Sequence, residues 1–194
     1  MRADLRALAL AAALLFGAGA ARAQQAAPAD AVRAYDQGRA LYARKDFEAA
    51  RGAFEQAVAL APNDADYHYW LGRALGLQAL HASIFSRLGL ARKAKSEFER
   101  AIALDPRSWE ARVALIDYDV RAPGIAGGSK DEALSQAREL QRLYPYGGAL
   151  EVARVLLATG RRDEAVAELR TLRAAYPDSA RPGADLARIE AGKH

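Results

Sequence analysis

One interval between alanine and proline recurs four times in this chain, and it leaves little freedom for the fold. Four segments close on proline: Leu60-Ala61-Pro62, Leu104-Asp105-Pro106, Leu143-Tyr144-Pro145 and Ala175-Tyr176-Pro177. Twelve residues before each proline stands an alanine: Ala50, Ala94, Ala133 and Ala165. Four residues after each alanine comes Phe54, Phe98, Ala137 or Leu169, and three further on Ala57, Ala101, Leu140 or Leu172. Steps of four and three place these residues on one face of an α-helix. Proline then stops the helix, because it has no N–H to donate and restricts the residue before it. A short amphipathic helix repeated in this way buries its apolar face only by stacking on its neighbours.

The stretches before these helices agree with one another. Gly38 and Gly72 each lie within helical periodicity, followed three residues later by Leu41 and Leu75. The run Trp70-Leu71-Gly72-Arg73-Ala74-Leu75, with the alanine, aromatic and proline positions above, resembles the tetratricopeptide repeat (TPR) family, over residues 31 to 177. The resemblance implies an all-α TPR solenoid of about four helix-turn-helix repeats, near 31–64, 65–108, 109–145 and 146–179, closed by a C-terminal cap at 180–194. Periodicity predicts helices at 31–44, 47–60, 65–87, 90–103, 107–121, 130–143, 148–158 and 162–175, with a last one near 181–191. Gly38, Gly72, Ala50 and Ala57 are expected where helices cross closely, with Phe54 and Phe98 filling the gap to the next helix.

The proline-to-proline spacings are 44, 39 and 32, against the family's 34. The second and third units therefore carry extra residues between their two helices. In the second unit Leu77, Leu80, Ile84 and Leu88 recur at helical spacing, which predicts an extended first helix with an apolar stripe. In the third, residues 122–128 (Ala-Pro-Gly-Ile-Ala-Gly-Gly) read as a loop, entering a helix through Ser129 and Glu132 as a capping box. Ile125 is expected to pack against the extended helix, so that Leu77, Leu80, Ile84, Leu88 and Ile125 form one secondary edge.

Ahead of the repeats, residues 1–6 are short and basic, 7–17 are apolar, and Ala21-Arg22-Ala23 fits a cleavage site. These are the three parts of a secretory signal peptide, with an apolar run too short to span a bilayer. Cleavage is expected after Ala23, followed by a flexible lead-in at 24–30 and a periplasmic or secreted location. The formal net charge is +4, of which Arg2, Arg6 and Arg22 against Asp4 supply +2, leaving +2 for the remainder. That balance, with no basic run interleaved with aromatics, argues against a nucleic-acid partner. The chain contains no cysteine, which excludes disulfides, thiolate catalysis and a cysteine lipid anchor. No segment after the signal-like one is apolar enough to span a membrane.

Catalytic chemistry has little foothold. Gly124 to Lys130 has the order Gly128-Ser129-Lys130, not the glycine-lysine-serine of a phosphate loop, and it follows a helix rather than a strand. His68, His81 and His194 share no metal-ligand spacing, and no serine lies in a nucleophile motif. Asp46, Asp163 and Glu164 belong at helix starts. The sequence therefore predicts no catalytic, cofactor or metal site and no enzymatic activity. The resemblance implies a protein or peptide partner on the concave face built by the first helices. Helical spacing maps that face to Tyr35, Arg39, Tyr42, Tyr69 and Arg73, residue types enriched in binding hot spots, while Trp70 and Trp109 read as core. The expected function is an exported scaffold for protein–protein interaction in the bacterial cell envelope. The alternatives are a self-associating structural homo-oligomer, or a small-ligand or accessory domain that uses the glycine-rich loop 122–128.

Overall fold

The computed structural model describes residues 28–192; the signal-like segment 1–23, residues 24–27 of the lead-in, Lys193 and His194 lie outside it. Helix α1 spans Ala29–Ala43, α2 Phe47–Leu60, α3 Ala65–His81, α4 Ile84–Leu104, α5 Trp109–Arg121, α6 Lys130–Leu143, α7 Pro145–Ala158, α8 Arg162–Ala175 and α9 Ala180–Glu190. A 3₁₀ turn at Gly124–Ala126 is the other helical element, and the described residues include no strand. The helices pack as antiparallel pairs, α1 on α2, α3 on α4, α5 on α6 and α7 on α8, with α9 closing against α8. Successive first helices also touch, α1 with α3, α3 with α5 and α5 with α7, which puts them on the inner side of the curve.

Local chemistry sets these ends. The Asp46, Asp64, Ser108 and Ser129 side chains each accept from a backbone N–H in the first turn of the following helix, satisfying donors that the helix leaves unpaired. The close crossings fall at the glycines. A Cβ on Gly38 would stand 2.6 Å from the Phe54 ring, and one on Gly72 2.7 Å from the Phe98 ring. Phe54, Leu71, Leu75, Phe98 and Leu115 form one apolar core along the stack, and Ile116, Leu140, Val152, Val155 and Leu156 a second. Leu186 and Ile189 of α9 close the far end over Ala153 and Leu169.

Four expectations are corrected. Helix α1 begins at Ala29, so the end of the lead-in is helical. The expected helix 65–87 is broken: α3 ends at His81 and α4 begins at Ile84, with Ala82 and Ser83 extended at ψ 157°. The extra residues therefore lengthen both helices of the pair, to 17 and 21 residues. Leu77, Leu80, Ile84 and Leu88 keep helical spacing across the break, so the period concealed it. Helix α7 begins at Pro145, not at 148, because proline at the first helical position loses no hydrogen bond. Tyr144 ends α6 and starts α7, and the corner is so tight that a Cβ on Gly148 would meet the Gln141 backbone at 2.2 Å.

Ile125 is the fourth correction. The loop does lie against the extended helix α4, but the Ile125 side chain is 73% exposed and does not make that contact's core. The loop is held instead through its carbonyl groups: Arg92 donates to Ile125 O at 2.6 Å, Lys95 to Gly127 O at 2.7 Å, and the Tyr118 hydroxyl to Ala126 O. Ala126 is the buried residue of the loop. Its glycines serve backbone geometry. Gly127 is left-handed at φ 88°, and a Cβ on Gly128 would overlap Ala122 O at 2.0 Å.

Candidate functional site

Four of the five residues mapped to the inner face, Arg39, Tyr42, Tyr69 and Arg73, converge around one side chain that sequence reasoning assigned to the core. Trp70, half-buried on α3, has the Arg39 guanidinium 4.2 Å from its ring on one side and that of Arg73 at 4.6 Å. Tyr42 meets the indole edge-on at 5.2 Å and Tyr69 at 5.6 Å. Arg73 also lies 4.9 Å over the Tyr42 ring. Tyr35 stands a turn away, against Phe54 and Tyr67 at 6.0 and 4.9 Å. The same local device appears in two consecutive first helices. Arg39 donates to the Tyr35 hydroxyl at 3.0 Å, and Arg73 to the Tyr69 hydroxyl at 3.4 Å, both across a single turn. Helical spacing of four brings each pair together, and the 34-residue offset repeats it.

The electrostatics of the groove divide along its length. Among the described residues neither Arg39 nor Arg73 is in an ion pair. Further along, Arg154 of α7 is bound to Asp117 of α5 and to Glu151, both at 2.7 Å. The N-terminal half thus offers two guanidinium groups placed over aromatic rings, each giving one nitrogen to a tyrosine hydroxyl and none to a carboxylate, and the C-terminal half has its arginine neutralised. Stacked guanidinium groups are pre-organised for two-pronged binding of carboxylate. Burial raises the Tyr69 phenol above its usual value, against the pull of Arg73, so its hydroxyl stays a neutral donor at physiological pH. Trp109, the other tryptophan, packs against Tyr144 and over Gly147, away from this cluster.

The secondary edge comes together only in part. Leu77 and Leu88 are half-buried, Leu80 and Ile84 stand 68% and 76% exposed at the hairpin end, and Ile125 is exposed on its loop. Phe85, which periodicity did not select, is 93% exposed beside Ile84. An open cleft of about 670 Å³ lies between this end and the α1–α2 turn, lined by Phe47, Gln78, His81, Ser86 and Leu90 among others. None of residues 122–128 lines it. No helix among the described residues is long and apolar enough to cross a membrane.

Comparison with known proteins places this geometry among repeats of one kind. TPR repeat profiles match residues 38–78 and 75–108, and a third tetratricopeptide repeat profile matches 150–179. Among solved structures, a thermophilic TPR protein of Thermus thermophilus is similar at 25% identity, with 84% of each chain covered and a TM-score of 0.56. MamA, residues 41 to the end, from Desulfovibrio magneticus shares the fold at 14% identity, with 87% of this chain and 89% of that one covered and a TM-score of 0.60. YrrB, a TPR protein with an unusual peptide-binding site, does so at 21% identity over 78% of this chain and 72% of its own, with a TM-score of 0.56. No curated protein sequence matches the chain.

Proposed function

The chain belongs to the tetratricopeptide repeat family, and from that premise we propose that it is an exported scaffold, not an enzyme, whose inner groove holds an acidic peptide segment of a partner protein in the bacterial cell envelope. The observation that carries the reading is the pair of unpaired guanidinium groups, Arg39 and Arg73, stacked on Trp70. Scaffolds of this family present a preformed groove, and YrrB is a TPR protein with a peptide-binding site. Here the groove's free cations and aromatic faces select an extended segment that carries carboxylates beside an apolar or aromatic side chain. The Arg154–Asp117–Glu151 knot contributes rigidity and no free charge, so binding concentrates in the first two units. The signal-like residues 1–23 support delivery across the inner membrane, with a mature chain starting at Gln24.

Crosslinking in the native envelope, followed by identification of the captured segment, tests the groove. The native chain is expected to capture an acidic segment, and Arg39→Ala with Arg73→Ala to lose it by about a hundredfold, as for two charge-assisted contacts of about 1.5 kcal/mol each. Circular dichroism establishes that the variant is folded. Capture left unchanged in that variant would remove the groove from consideration. N-terminal sequencing of the cellular protein tests export: a chain starting at Gln24 supports it, and one retaining residues 1–23 in the cytoplasm defeats it.

A further inference from the structure

The hairpin of α3 and α4 is longer than its neighbours. Helix α4 has 21 residues and its counterparts α2 and α6 have 14 each, so it projects about 10 Å beyond them at 1.5 Å per residue. Its end carries Leu80, Ile84 and Phe85, 68%, 76% and 93% exposed. Soluble surfaces scatter such side chains singly, and a cluster of them marks a docking site. The same end is cationic. No acidic residue occurs from Tyr67 to Ser96. Of the cations in that stretch, Arg87 bends back to donate to the Ala82 carbonyl at the tip, and Lys93 stands exposed. Phe85, Gly89 and Arg92 share one stripe of α4, which leads to exposed Ile125 through the bond from Arg92 to its carbonyl. Arg121, also exposed, ends the helix before that loop. Across the adjoining cleft Lys45 stands beside Asp46 and Glu48.

We infer that the projecting α3–α4 tip docks on an anionic lipid bilayer, with Leu80, Ile84 and Phe85 entering the headgroup region and Arg87 and Lys93 meeting lipid phosphates. This surface is separate from the groove and does not depend on it. Three observations select the occupant. The apolar side chains stand on the end of a projection and do not line the adjoining cleft, so they suit a deformable interface better than the broad matched area a protein partner needs. The cations lie just behind them along the helix, at the depth where a shallowly inserted element meets phosphates. A symmetric contact with a second copy would oppose Arg87 and Lys93 of both chains, and like charges repel there.

The chain lacks cysteine, so Ser86→Cys in the full chain carries a single environment-sensitive fluorophore beside the tip. Gly52→Cys, whose added Cβ would meet nothing within 4 Å, carries the control label on α2. The residue-86 label is expected to shift to the blue with phosphatidylcholine vesicles containing phosphatidylglycerol, to stay unshifted with phosphatidylcholine alone, and to lose its shift in high salt. The residue-52 label stays aqueous throughout, which separates the tip from any insertion by the N-terminal apolar segment. Adding Ile84→Ser and Phe85→Ser should abolish the shift, and Arg87→Glu with Lys93→Glu should raise the lipid concentration needed by at least about tenfold. Melting followed by circular dichroism shows that these variants are folded. The inference is overturned by no shift on anionic vesicles or by an equal shift on neutral ones. A shift that grows with protein concentration without lipid, which would mean a second copy, or one produced by poly-glutamate in place of vesicles, which would mean an acidic protein, also overturns it.

Discussion

Two turns in the stack solve the same problem with different residues. The α1–α2 turn runs Arg44-Lys45-Asp46 and the α7–α8 turn runs Thr159-Gly160-Arg161. In each, a backbone N–H reaches back five residues to a helix carbonyl, Asp46 to Leu41 at 3.1 Å and Arg161 to Leu156 at 2.8 Å. This helix-ending motif demands one residue in the left-handed region. Gly160 supplies it at φ 79°, and Lys45 occupies it at φ 63°, the one non-glycine among the described residues with positive φ. A left-handed L-residue costs roughly 1–2 kcal/mol, and glycine's entropy returns about half of that. Lys45→Gly should therefore stabilise the chain by about 0.5–1 kcal/mol, and Gly160→Ala should destabilise it by about 1 kcal/mol. Denaturant midpoints at constant slope measure both. A loss of stability in Lys45→Gly would mean that the lysine side chain contributes more than its strained backbone costs.

At the scale of elements, the sequence was most legible where chemistry is local. The alanine, aromatic and proline positions marked the second helices, and serine or aspartate marked several starts. The break at Ala82–Ser83 was missed because the apolar period ran through it unchanged, although Ser83 is a residue type that often precedes a helix. Ile125 was misplaced because loop composition says nothing about which atom of a residue faces the protein; here the carbonyl does. The groove residues followed from helical spacing, but Trp70 did not, since a tryptophan that packs on one edge and presents its faces reads as core in either case. Long-range ion pairs left no trace in the spacing. Lys95 of α4 donates to Asp119 of α5 at 2.8 Å and to Gly127 O at 2.7 Å, tying the second unit to the loop of the third. Asp119 is 2% exposed, and burial pushes its carboxyl above the usual value, against the pull of Lys95. Removing one partner of such a pair leaves a buried charge, at about 3 kcal/mol. Lys95→Met should cost that much, whereas Lys95→Met with Asp119→Asn should cost distinctly less than the two single changes summed. Additive losses in chemical denaturation would show that the two side chains act independently.

Across the whole molecule, one buried polar position recurs, and its change of residue predicts a different response to pH at the two ends of the stack. His68 contacts the Pro62 carbonyl at 3.0 Å through Nε2 and Glu97 at 2.6 Å through Nδ1. In the next unit Arg112 donates to the Pro106 carbonyl at 2.8 Å and to Gln136 at 2.7 Å. Each side chain ties the turn between units to the second helix of its own unit, six residues on from its proline. The hydrogen bond to Glu97 raises the His68 pKa above the usual imidazole value; burial opposes it and the Pro62 carbonyl supports it. Folding therefore favours the protonated ring. Its contribution to stability is fully present below the unfolded imidazole pKa, about 6.5, and is lost as pH rises through the higher folded value. The equivalent position of the next unit holds no imidazole. A solenoid is coupled chiefly through nearest neighbours, so the loss should appear as local opening of α1 to α4 while α5 to α9 keep their protection. Hydrogen exchange, corrected for its intrinsic pH dependence, should show this from below pH 6.5 upward, and His68→Gln should flatten the profile without altering that of the later helices. Equal loss of protection along the whole stack would mean that the units unfold as one cooperative body.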